Sequence, residues 1–71
     1  MFELTSRETE VLTWLLEGKT NWEISQILCI SKSTVKAHLK HSYQKLGVSN
    51  RYSAVRTLSI QNWATQDMEK K

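Results

Sequence analysis

Seventy-one residues suffice for one small domain with a modest core, and they leave little surface for an enclosed substrate pocket. Hydrophobic residues at 39% and charged residues at 24% fit a folded chain rather than a disordered one, and the net charge of +3 is mild. A single cysteine excludes an intrachain disulfide; with no repeated Cys and His spacing, no apolar run of membrane-spanning length and no charged-then-apolar leader, the sequence predicts a cytoplasmic protein with no metal, cofactor or membrane partner.

There is no proline, β-branched alternation never persists, and apolar residues recur at helical spacing in four blocks, so the fold class is all-α. The first helix opens on Thr5-Ser6-Arg7-Glu8, a capping box in which Thr and Glu satisfy each other's backbone amides. Val11, Leu12, Leu15 and Leu16 then form its apolar stripe, and Gly18 can end it in the left-handed conformation. A second capping box, Thr20-Asn21-Trp22-Glu23, starts a helix of about two turns with Ile24, Ile27 and Leu28 on one face.

Cys29-Ile30-Ser31 breaks the pattern. Cys29, between Leu28 and Ile30, reads as a small semi-buried thiol, strained if the turn needs a positive φ. Ser31 caps a third helix that runs to Gly47, and Ser49 caps a fourth bearing Ala54, Val55 and Leu58. The domain is expected to span 1–65, with 66–71 a disordered tail. Two helices joined by a turn of about three residues match the helix-turn-helix plan, giving a four-helix bundle-like domain.

Charge is unevenly placed along this plan. From Met1 to Ile30, Glu3, Glu8, Glu10, Glu17 and Glu23 outnumber Arg7 and Lys19, whereas from Ser31 to Arg56, Lys32, Lys36, Lys40, Lys45, Arg51 and Arg56 stand without a carboxylate. At about 100° per residue, Val35, Leu39, Ser42 and Leu46 share the core-facing sector of the third helix. Ser33, Lys36, Ala37, Lys40, His41 and Gln44 share the opposite one. Lys can donate to guanine O6 and N7, His and Gln can address base edges, and an Ala methyl permits close approach, so these six are the candidate base readers.

The ordinary reading of a lysine-rich face is solvated surface. Against it, the lysines lack the carboxylate partners that usually sit four residues away, and the ladder starts at a capped helix N-terminus, whose dipole also favours anions. Thr20, Asn21, Ser31, Lys32 and Thr34 sit at helix starts where they can reach phosphate oxygens, although capping alone accounts equally well for Thr20 and Ser31. His38 projects beside the core stripe and reads as packed or phosphate-touching.

The segments "LTSRETEVL", "EGKTNWEIS", "ILCISKSTVKAHL" and "KLGVSNRYSAV", in this order from Leu4 to about Leu58, resemble the LuxR-type helix-turn-helix domain, found also in response regulators of the NarL class. The resemblance implies four helices, the third in the major groove, and a homodimer on an inverted repeat in double-stranded DNA. It places Lys36, Ala37 and Lys40 near base edges, and Thr20, Lys32, Ser33, Thr34, His38 and Lys45 near the backbone. Trp14, Trp22 and the small Ser42 look more like the quorum-sensing branch than the phosphorylated one. Related domains dimerise through the fourth helix, which makes Tyr52, Arg56, Ser59, Ile60 and Trp63 the dimer candidates, with Trp63 equally able to fold back over the core. Trp22 projects away from its helix's stripe and suits DNA, a regulatory domain or RNA polymerase.

The sequence thus favours sequence-specific DNA binding as the output domain of a bacterial transcription regulator. Alternatives are promoter binding like that of sigma-factor region four, or an adaptor whose basic face meets an acidic protein. An enzyme is not expected, because no nucleophile, base and orienting group, no paired carboxylates and no Gly-rich phosphate loop occur.

Overall fold

A computed structural model describes residues 3–60 as four α-helices, with no strand among the described residues. These are α1 (Ser6–Leu16), α2 (Asn21–Leu28), α3 (Lys32–Leu46) and α4 (Arg51–Ile60). Trp63, the domain limit at 65 and the tail at 66–71 lie outside the described residues.

Both capping boxes form as expected. Thr5 N donates to Glu8 Oε1 at 2.9 Å while Glu8 N donates to Thr5 Oγ1 at 3.1 Å. Thr20 and Glu23 repeat the exchange at 2.8 and 3.1 Å, and Ser31 Oγ accepts from Thr34 N at 3.1 Å. The cap of α4 differs from the expectation at Ser49: Asn50 fills that place, its Oδ1 accepting from Ser53 N at 2.8 Å and its carbonyl from Ala54 N at 3.1 Å. The sequence offers two adjacent capping residues, and hydrogen bonding selects the second.

The first three helices stop in the same way. Lys19 N reaches back to Trp14 O, Ile30 N to Ser25 O and Val48 N to Tyr43 O, at 3.0 to 3.1 Å. Each closure places the preceding residue at positive φ: Gly18 at 86°, Cys29 at 58° and Gly47 at 76°. Cys29 is therefore held in the left-handed conformation at the helix-turn-helix corner, and its side chain is exposed rather than semi-buried. The closure turns that position outward, which hydropathy does not register.

Val11, Leu12 and Leu15 of α1, Ile24 of α2, Val35, Leu39 and Leu46 of α3, and Ala54 and Leu58 of α4 form the core. The third helix is central, packing against each of the other three. Its core stripe is as expected, including Ser42, which is fully buried and donates from Oγ to His38 O at 2.7 Å. In α2 the expected stripe is narrower: Leu28 is half-buried and Ile27 is 42% exposed, whereas Ser25 is buried and donates to Trp22 O at 2.6 Å. With only two turns, the inward arc of α2 has room for Ile24 and a small neighbour. Among the described residues no helix is long and apolar enough to cross a membrane.

Candidate nucleic-acid interface

Burial divides α3 into two faces. Val35, Leu39, Ser42 and Leu46 are turned into the core, and Ser33, Lys36, Ala37, Lys40, His41 and Gln44 are all exposed on the other side. Among the described residues no carboxylate pairs with Lys32, Lys36 or Lys40; the ion pairs formed are Arg7 with Glu10 at 3.1 Å and Lys45 with Glu8 at 2.7 Å. Three cations at intervals of four residues therefore face outward unneutralised.

Two open concavities flank this face. One, of about 520 Å³, lies between α3 and the start of α4 and is lined by Lys36, Lys40, Gln44, Tyr43, Leu39, Val48, Ser49, Arg51 and Asn21. The other, of about 570 Å³, lies toward the start of α2 and is lined by Lys32, Lys36, Arg51, Asn21, Thr20, Trp22 and Gly18. Neither has an acidic residue in its lining, and both share Asn21, Lys36 and Arg51. Burial pushes the Tyr43 phenol up, an effect partly offset by the Arg51 guanidinium.

Of the phosphate candidates, Thr20, Ser31 and Lys32 are exposed around this face, and Asn21 and Thr34 are half-buried. Thr20 and Ser31 serve as caps, and Ser31 Oγ also shares a hydrogen bond with Thr34 Oγ1 at 2.9 Å. His38 is half-buried beside the core stripe. Lys45 has a partner that the sequence reading did not give it: its ammonium reaches the buried Glu8, linking the end of α3 to the start of α1. The Lys45 ammonium and the Thr5 amide hold the Glu8 carboxyl below the usual carboxylate range, against an opposing effect of burial.

In the sequence Arg51 stands only as one more cation. Its guanidinium donates to the Lys19 carbonyl and, at 3.5 Å, to Asn21 Oδ1, so the start of α4 is tied to the start of α2. A signal was present. Arginine at the first position of a helix opposes the macrodipole, so a partner elsewhere is to be expected. On α4, Tyr52, Arg56, Ser59 and Ile60 are exposed on the side away from Ala54 and Leu58, and Trp22 on α2 is 58% exposed.

A short helix, a tight turn and a longer helix with a cationic outer face define a helix-turn-helix protein. Residues 3–58 match the family model described as bacterial regulatory proteins, luxR family, and the chain belongs to that family. It is 56% identical over 52 residues to the HTH-type quorum sensing-dependent transcriptional regulator RpaR of Rhodopseudomonas palustris, covering 73% of this chain and 21% of that protein. Among solved structures it is similar to the response regulator ChrA of a heme-sensing two-component system, with TM-score 0.79 and 42% identity, over 87% of this chain and 31% of that one. It is also similar to phage VqmA, solved as a complex with DPO, with TM-score 0.87 and 26% identity over 92% and 30% of the two chains. The chain spans about a fifth of the length of the curated relatives it matches.

Proposed function

We propose that this chain is the DNA-binding output unit of a bacterial transcription regulator, with α3 seated in the major groove. Ser33, Lys36, Ala37, Lys40, His41 and Gln44 read base edges, while Thr20, Asn21, Ser31, Lys32, Thr34 and His38 meet the phosphates on either side. Lys45 is the phosphate candidate with a competing partner, since any reach toward DNA is at the expense of its bond to Glu8. The observation that carries the reading is the outward, unneutralised row of Lys32, Lys36 and Lys40 opposite the buried Val35, Leu39, Ser42 and Leu46.

In this proposal the unit acts in the cytoplasm as a homodimer on an inverted repeat, through Tyr52, Arg56, Ser59 and Ile60, with Trp63 as a further candidate. The exposed Trp22 meets a regulatory domain or RNA polymerase. Relatives named as a quorum sensing-dependent transcriptional regulator and a response regulator support the assignment to transcription control.

Selection of duplexes from a random pool, followed by salt titration of a recovered duplex and a scrambled one, tests the reading. Phosphate binding predicts a steep loss of affinity with salt for both, and base reading predicts a persistent preference for the recovered duplex. Binding to acidic protein but to neither duplex would establish the adaptor alternative instead.

A further inference from the structure

Arg51 begins α4, where the helix dipole disfavours a cation, and its contacts point away from α4 altogether. The guanidinium holds the Lys19 carbonyl just before α2 and faces Asn21 Oδ1 at the first position of α2. A guanidinium offers donors only, so an asparagine facing it must present its carbonyl oxygen. The Asn21 amide nitrogen, with its two hydrogens, is then left for another acceptor. Asn21 and Arg51 both line the concavities beside α3, together with Lys36. An anion entering there would meet a donor whose orientation is already fixed.

We propose that Arg51 is a positioning residue for phosphate binding: it acts through Asn21, fixing that side chain as a hydrogen-bond donor beside Lys36. The inference rests on the DNA-binding reading and adds a residue that acts through another. Planarity matters here, because a fork can hold the carbonyl and the amide oxygen together, whereas an ammonium on a flexible stem keeps the charge without the geometry.

The test uses the 71-residue chain, a duplex recovered by it from a random pool, and a scrambled duplex of equal length. Arg51→Lys is expected to weaken binding to both duplexes about tenfold while leaving their affinity ratio unchanged. Asn21→Ala should do the same, and the double variant should be no weaker than the weaker single variant. Losses that add would mean that Arg51 acts independently of Asn21, and would overturn the proposal. So would parental affinity in Arg51→Lys. The free parent supplies a measurement that needs no variant: the Asn21 side-chain amide should give two nuclear magnetic resonances displaced from those of an unrestrained asparagine. Unrestrained resonances would overturn the proposal as well. Failure of the parent to bind either duplex defeats the DNA-binding reading and this inference with it, whereas a binding parent with an indifferent Arg51→Lys defeats this inference alone.

Discussion

The left-handed residue at the end of α2 shows how much one Cβ weighs. Gly18 and Gly47 take positive φ freely, but Cys29 does so at 58° against the clash of its own Cβ, a conformation that costs an L-residue roughly 1–2 kcal/mol. Its exposed thiol makes only a long 3.9 Å contact with Gln26 O. Cys29→Gly is expected to stabilise the chain by about 1 kcal/mol in urea unfolding, reduced somewhat by glycine's freedom in the unfolded state, with duplex binding unchanged. Glu8 presents a different balance. Its folded pKa lies below the usual 4.5, through the Lys45 ammonium first and the Thr5 amide second. The stabilisation is thus complete above the unfolded value and fades as pH falls through the folded one. Glu8→Gln should lower neutral-pH stability by about 2 kcal/mol and flatten the stability profile below pH 4.5, measured by denaturant titration across pH. An unchanged acid limb would show that Glu8 is not the group responsible.

At the scale of elements, α3 buries one side in the core and exposes a cationic side, to which the proposal gives the groove, and the lysine series tests that role. Lys36→Ala or Lys40→Ala should weaken the recovered duplex by roughly 1–3 kcal/mol more than the scrambled one if each lysine contacts a base. Lys32→Ala should weaken both alike and reduce the salt slope by about one. Three variants that bind like the parent would remove α3 from the groove. The first three helices and the exposed side of α3 were legible in the sequence because each rests on local signals: capping boxes at Thr5 and Thr20, a cap at Ser31, a stop at Gly47, and the 3.6-residue period of α3. The fourth, α4, was legible from the spacing of Ala54 and Leu58, although its cap falls on Asn50 and not Ser49. What escaped depends on distance along the chain. The Lys45 bond to Glu8 joins residues 37 apart and that of Arg51 to Lys19 residues 32 apart, and no periodicity reports such pairs. Ile27 was misplaced for a related reason, since a two-turn helix can bury only what its neighbours leave room for.

For the whole molecule, the proposed groove contact rests on one α3 of about four turns, too short a stretch to single out an operator among many competing sites. The proposed pair of copies on an inverted repeat would resolve this, because holding the first half-site makes binding of the second effectively intramolecular and raises the combined affinity without new contacts to bases. The exposed side of α4 is suited to joining them: Tyr52 is 73% exposed and Ile60 is 68% exposed, lying two turns apart with Arg56 between. Since both point outward from α4, replacing them should leave the core around Ala54 and Leu58 intact. The variant Tyr52→Glu with Ile60→Glu places like charges across a two-fold contact, where identical patches must face each other. It should keep the parent's thermal unfolding and its affinity for a single half-site, yet lose about tenfold or more on a duplex carrying both half-sites. Sedimentation of the complexes supplies the count: two parent copies per two-site duplex, against mostly single occupancy for the variant at the same concentration. Equal affinity and equal occupancy would mean that α4 does not join the copies, and that a second half-site is recruited by contacts made elsewhere.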